Sequence, residues 1–192
     1  IASIDIVPVR LPLREPFVIS YATYPDTLSV LVRVRTGDGQ EGWGESTPDP
    51  NISGETWEGV AEVIRHMLAP ALIGHDARNR ETALLAMDAR LEGAPAAKAA
   101  LDIALHDLVA RWAGIPVWQL LGGKARPSLE ISRVISIGPL DEMAAAACRH
   151  VEAGFRTVKV KVGDRQNPML DVERVAIVRD AVGPEIGVKV DV

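Results

Sequence analysis

From Leu129 to Val192 the chain alternates strand-like and helix-like segments, and that alternation limits the fold more than any other feature. Leu129 to Ile137 reads as a strand, Asp141 to Ala153 as a helix ended by Gly154, and Thr157 to Val162 as a strand. Asp171 to Val182 reads as a helix ended by Gly183, and Ile186 to Val192 as a strand again. Strand–helix–strand repeats lay successive strands parallel, in an open sheet or at the beginning of a barrel. No helix follows the last strand, and parallel strands with an uncovered edge make a poor stand-alone domain. The expectation is a fragment, or a chain that needs a second piece.

The first 122 residues follow a different grammar. Leu28, Val30, Val32 and Val34 alternate with Ser29, Leu31, Arg33 and Arg35, the period of two of a half-buried strand. Thr36-Gly37-Asp38-Gly39 supplies a turn, and the return strand carries Trp43 and ends near Glu45. An earlier strand around Ile4 to Leu11 completes an antiparallel sheet. Helices follow. Ser53 is placed to cap one whose apolar residues Trp57, Val60, Ile64 and Met67 recur at helical steps, with Pro70 as its stop. A weaker helix is expected from about Asn79 to Leu91. The clearest carries Ala97, Leu101, Ala104, Leu105, Leu108 and Trp112 on one stripe, closed by Gly114 and Pro116. Trp57 and Trp112 are thereby expected in the core. Strands then helices predict an α+β module over residues 1–122, followed by a parallel α/β part over 123–192.

Composition narrows the partners. Net charge is −5 with no run of Lys or Arg, which argues against a nucleic-acid or anionic-membrane surface. No stretch reaches the roughly 18 apolar residues of a membrane span. Cys148 is the only cysteine, which excludes an internal disulfide and a cysteine zinc cage. Ile1-Ala2-Ser3-Ile4-Asp5 lacks the build of a signal peptide, so a cytoplasmic location is expected. His66, His75, His106 and His150 show no metal-ligand spacing, and His106 reads as a structural polar contact.

The segment richest in chemistry is Thr157-Val158-Lys159-Val160-Lys161-Val162. Side chains two apart on a strand share a face, so Lys159 and Lys161 point together, away from the valines. Repulsion and desolvation of two such ammonium groups lower a lysine pKa, the route by which lysine becomes a general base. On spacing alone, an exposed edge strand with lysines facing water fits as well or better. The final strand shifts the balance: Ile186, Val188, Val190 and Val192 line one face, Lys189 and Asp191 the other. Asp191, Lys159 and Lys161 all lie at carboxyl ends of strands, where parallel α/β folds gather ligands. Asp191 suits a hard cation such as Mg²⁺, or it pairs with a lysine as a structural salt bridge.

Several segments together carry a family resemblance. Ala97-Lys98-Ala99-Ala100-Leu101-Asp102-Ile103-Ala104-Leu105-His106-Asp107-Leu108 is followed by Gly114-Ile115-Pro116-Val117 and Leu120-Leu121-Gly122-Gly123. With Gly42-Trp43-Gly44-Glu45 at the hairpin end, this resembles the mandelate racemase and muconate-lactonizing family of the enolase superfamily. The resemblance covers essentially the whole chain and implies a capping domain followed by the first strands of a (β/α)₇β TIM-like barrel. Within the muconate-lactonizing subgroup, Lys159-Val160-Lys161 matches a Lys-x-Lys motif. Lys161 would then be the acid/base, Lys159 would help neutralise the enolate, and Asp191 would be the first of three carboxylate ligands for Mg²⁺. Two further ligands and a partner lysine on the opposite face would lie beyond Val192. The implied activity is Mg²⁺-dependent removal of the proton α to a carboxylate of a small molecule. The implied assembly is a homo-oligomer.

Specificity in the family resides in two loops, here about Pro16 to Pro25 and Thr47 to Glu55. Pro16-Phe17, Ile52-Ser53-Gly54-Glu55 and Ser132-Arg133-Val134-Ile135-Ser136-Ile137 are most similar to the dipeptide epimerases, with substrate-contacting positions implied at Phe17, Ile19, Ala22, Ile52 and Val134. Ala22 stands where alanyl-glutamate epimerases place an arginine, and Val134 where they place a threonine, which implies a less acidic substrate. Phe17 and Ile52 read equally as packing residues. The reaction expected is racemisation or epimerisation of a dipeptide or N-acyl amino acid. A muconate-type cycloisomerase, an acid dehydratase and a non-catalytic fragment are the alternatives.

Overall fold

Val30, Val32 and Val34 are fully buried while Leu31, Arg33 and Arg35 are only half-buried, as strand alternation requires. A computed structural model describes residues 1–192, which divide into two compact units. The first comprises Ile1–Pro12 with Asp26–Ala125, and the second Leu13–Pro25 with Arg126–Val192.

Strands β1 (Ser3–Val18), β2 (Thr23–Arg35) and β3 (Glu41–Ser46) form a sheet in that order, all of it in the first unit except the β1–β2 end within Leu13–Pro25. Strands β2 and β3 are antiparallel, with Arg33 opposite Trp43 and Arg35 opposite Glu41. The turn between them closes through the Thr36 N–H on the Gln40 carbonyl at 3.0 Å, with Gly39 at φ +87°. Strand β1 runs well beyond the expected Ile4 to Leu11, and β2 begins five residues before Leu28. Pro8, Pro12 and Pro16 disguise β1 in the sequence, since proline removes a ladder donor. Their spacing of four keeps the missing donors on one lateral side, and an edge strand has one side without a partner.

Helices α1 (Trp57–Val63), α2 (Ala69–Leu72), α3 (Arg80–Arg90) and α4 (Pro95–Ala113) cover this sheet's core. Three expectations fail here. Ser53 does not cap α1: its hydroxyl donates to the Asp49 carbonyl at 3.2 Å, within a turn. Thr56 is the cap instead, accepting from the Gly59 N–H at 3.1 Å. Pro70 does not stop the helix either. Ile64–Leu68 widens into a π-helical turn, with the Ala69 N–H reaching the Ile64 carbonyl, and the chain stays helical through Leu72. The wider turn absorbs the missing donor and the ring clash that proline brings to an α-helix. Trp112 also departs from the expected core: it is 51% exposed, and the Arg78 guanidinium lies 5.3 Å from its ring centroid. Trp57 is partly buried against the core, and His106 bonds Arg80 and the Asp102 carbonyl.

Helix α4 begins after Ala94, which has φ +50° and no capping side chain. The Glu55 carboxylate caps it from a distance, accepting from the N–H of Ala96 at 2.9 Å and of Ala97 at 3.4 Å. A carboxylate there also meets the positive end of the helix dipole. Glu55→Ala should therefore lower stability by about 1 kcal/mol, the usual cost of a lost cap. Urea unfolding would measure it, and an unchanged midpoint would contradict this role.

The second unit holds β4 (Ser132–Ile135), β5 (Thr157–Lys161) and β6 (Gly187–Asp191), all parallel and in that order. A short helix, α5 (Val117–Leu120), lies before them in the first unit. Strand β4 is shorter than the expected Leu129 to Ile137, and Leu129 and Ile131 are exposed. Helices α6 (Leu140–Glu152) and α7 (Pro168–Val182) bury one face of the sheet through Ile135, Met143, Ala147, Val158, Val160 and Val178. Helix α7 starts three residues before the expected Asp171 because Pro168 is well suited to the first helical turn. No helix is long and apolar enough to cross a membrane.

Candidate active site

Parallel register places Lys159 beside Val134 on one side and Lys189 on the other, with Lys161 beside Asp191. Paired residues of neighbouring strands share a face, so these side chains stand opposite the apolar face that α6 and α7 cover. Val158 and Val160 are fully buried on that covered face.

At the carboxyl ends of β5 and β6 the two ammonium groups meet one carboxylate. Lys159 Nζ lies 2.8 Å and Lys161 Nζ 2.9 Å from Asp191 Oδ2. Lys161 is the more enclosed, its side chain 18% exposed against 33% for Lys159. Hydrogen bonds from Lys159 and then Lys161 hold the Asp191 carboxyl well below the usual range, at about 2. That value lies below the roughly 3.9 of a free aspartate, so the ionised carboxylate's contribution to stability is present above about pH 4 and is lost as pH falls through about 2. Carboxyl-carbon NMR of the metal-free protein should give an Asp191 midpoint near 2. A midpoint near the free value would contradict the triad.

The segment Leu13–Pro25 belongs to this unit as the end of a β-hairpin, where the sequence suggested a loop. Its tip is closed by the Ile19 N–H on the Ala22 carbonyl at 2.9 Å. The Val18 carbonyl accepts from the Ile137 N–H beyond β4 at 3.1 Å. Phe17 stands near the lysines, its ring centroid 6.0 Å from Lys161 Nζ. Thus the fold gathers Lys159, Lys161, Asp191, Phe17 and Val134, with Ile19 and Ala22 shaping the hairpin tip. Ile52 lies in the first unit, 80% exposed at the turn that Asp49 holds.

Two polar residues beside the site escaped the sequence reading. Asp171 Oδ2 accepts from the backbone N–H of Gly163 at 2.9 Å and of Asp164 at 2.8 Å, on the loop that leaves Lys161. Its Oδ1 accepts from Arg174 at 2.7 Å, and Arg174 is buried. Burial pushes the Asp171 carboxyl up, but the bonds from Arg174, Gly163 and Asp164 outweigh it and leave it lowered. Pro168 was the available signal, since it marks a helix start that puts Asp171 in the first turn, facing the loop.

Asp191 is a hard oxygen donor that stays ionised at neutral pH, which suits Mg²⁺. No three His, Cys, Asp or Glu side chains converge anywhere in residues 1–192, so this stretch holds no complete cage of such ligands.

An antiparallel sheet with helices, then parallel strands whose carboxyl ends bear lysines and an aspartate, defines an α+β part followed by a parallel α/β part, a class that gathers ligands at such strand ends. The chain belongs to the mandelate racemase/muconate lactonizing enzyme family: the model of that family's N-terminal domain matches residues 1–122, and an enolase C-terminal domain-like model matches 142–192. It is 40% identical over 192 residues to the N-succinyl-L-Arg/Lys racemase of Bacillus cereus, covering all of this chain and 52% of that protein. The crystal structure of that racemase superposes with a TM-score of 0.96 over all of this chain and 51% of its own. The dipeptide epimerase of Cytophaga hutchinsonii, solved with Mg and D-Ala-L-Val, gives 0.91 at 35% identity, over 98% of this chain and 50% of its own. The chloromuconate cycloisomerase of Cupriavidus necator is 37% identical, over all of this chain and 52% of that protein. The chain thus spans about half the length of the relatives it matches, and corresponds to their N-terminal capping domain and the start of the barrel.

Proposed function

We propose that the full-length protein removes the proton α to a carboxylate, as a racemase or epimerase of a dipeptide or N-acyl amino acid. The observation that carries this reading is the convergence of Lys159 and Lys161 on Asp191 at the carboxyl ends of neighbouring strands. Lys161, the more enclosed lysine, takes the proton at Nζ in its neutral amine form and, as the resulting ammonium, returns it in the reverse direction. Lys159 holds a positive charge beside the site, where negative charge develops on the substrate. Asp191 is the Mg²⁺ ligand of this half of the protein; Mg²⁺, when bound, supplies the charge that makes an α-proton acidic enough for a lysine.

Phe17, Ile19, Ala22, Ile52 and Val134 are the residues assigned to substrate selection. None of these side chains is charged, which favours a substrate side chain less acidic than glutamate. The similarity to the racemase and to the dipeptide epimerase supports the reaction class. The similarity to the cycloisomerase supports a second reading, lactone formation from a muconate.

The test is α-proton exchange of the full-length protein in deuterated solvent with Mg²⁺, across a panel of dipeptides and N-acyl amino acids. Washout of the α-proton with at least one of them is expected. No exchange across the panel would sink the reading, and turnover of muconate alone would select the cycloisomerase.

A further inference from the structure

Beyond Lys161 the chain passes through Val162, whose N–H donates to the Asp191 carbonyl at 3.0 Å, and then reaches Gly163 at φ +123°. A side chain at Gly163 would have its Cβ 2.6 Å from the Ser20 Cβ and 3.2 Å from the Ser20 hydroxyl. The hairpin tip therefore rests in the space that the missing side chain leaves, a few residues from the Phe17 ring that faces Lys161. What holds Gly163 in place is helix α7. Asp171 gathers the N–H groups of Gly163 and Asp164, buried Arg174 clamps Asp171, and Asp164 Oδ1 in turn accepts from the N–H of Gln166 and Asn167.

We infer that Asp171 is a positioning residue: it fixes the Gly163 loop as a seat for the Leu13–Pro25 hairpin, and through that hairpin it sets the place of Phe17 over Lys161. The inference rests on the proton-abstraction reading for its catalytic consequence, though not for its structural one. The carboxylate itself lies behind the strand-end loop and touches neither lysine. Its loss frees the two loop N–H groups that now share one oxygen, and the hairpin loses the rigid surface it rests on. The ion triad of Lys159, Lys161 and Asp191 keeps its own contacts. Substrate binding therefore suffers before proton transfer does.

Full-length Asp171→Ala is compared with Asp171→Asn, which keeps an acceptor oxygen for the loop, and with the milder Asp171→Glu. Amide hydrogen exchange reads the seat directly, because the Ile137 N–H is bonded to Val18 and the Ile19 N–H closes the tip. Both amides should exchange about tenfold faster in Asp171→Ala and about threefold faster in Asp171→Glu, the scale of one or two lost hydrogen bonds. Val158 and Val160 should be unchanged, and Asp171→Asn, whose one oxygen serves the loop while its NH₂ group faces Arg174, should fall between Asp171→Ala and the parent. In turnover, KM should rise about tenfold in Asp171→Ala with kcat held within about threefold. Unchanged exchange at Ile137 and Ile19, or equal acceleration at Val158 and Val160, would overturn the inference, as would a fall in kcat with KM unmoved. Should Asp171→Ala not fold, Asp171→Glu decides by the same amides. A parent protein without any α-proton exchange would remove the proton-abstraction reading alone, and the amide comparison would still decide the seat.

Discussion

Lys161→Ala in the full-length protein is expected to cut α-proton exchange from one stereoisomer by about 10³-fold, within the range a positioned general base contributes. The isomer attacked from the other face should lose less. The reason is geometric. A strand residue projects to one face only, and Lys161 is held there by Asp191 at 2.9 Å while the β5 valines are buried on the other face. A base on one side of a planar intermediate serves the isomer whose C–H bond points toward it. Exchange measured separately for each stereoisomer in deuterated solvent checks this, with circular dichroism to confirm that the variant is folded. Equal losses for both isomers would mean that Lys161 acts through charge, as Lys159 is assigned to do, and not as the proton acceptor.

Gly44→Ala should be the most damaging single-atom addition to the first unit. A Cβ at Gly44 would lie 1.9 Å from the Ala100 carbonyl oxygen and 2.7 Å from the Ala104 nitrogen, both backbone of α4. At Gly42 the equivalent atom would lie 2.2 Å from the Ala104 carbonyl oxygen. Strand β3 is therefore laid directly on the helix, with no side chain between. Two strand residues span about 6.8 Å and four helical residues about 6 Å, so Gly42 and Gly44 match the Ala104 and Ala100 turns in step. Backbone cannot rotate away as a side chain can, so strand and helix must part and the packed core must open. We expect a loss of about 3 kcal/mol or more, the upper end of overpacking costs and a large share of ordinary domain stability. Urea unfolding would measure it, and a loss under about 1 kcal/mol would show that α4 yields more readily than packed backbone should.

Much of this architecture was legible from periodicity. The alternation at Val30, Val32 and Val34, the stripe of α4 and the Lys159–Val160–Lys161 pattern each state which face an element buries, and burial follows them. Local chemistry also located ends: Asn79 caps α3, and Gly114 closes α4 at φ +68°. The failures lie where a distant group overrode a local signal. Ser53 looked like a cap but bonds Asp49, and Glu55 became the cap of a helix 41 residues away. Pro70 looked like a stop but lies in a helix widened to receive it. Trp112 sits on the apolar stripe of α4 yet half of it is exposed, with Arg78 beside it.

By itself the sequence determined the order of strands and helices, the parallel character of residues 129–192, and the common face of Lys159, Lys161 and Asp191 at their strand ends. It also pointed to the family. Only the tertiary structure decided that both lysines meet the same oxygen of Asp191, that Phe17 stands beside Lys161, and that Asp171 braces the loop beneath the hairpin. The division has one physical cause. Backbone geometry repeats with a fixed period, so sequence alone says which way a side chain points. What stands opposite that side chain is set by strand register and by the close approach of glycine to a neighbour, and those depend on the whole chain at once.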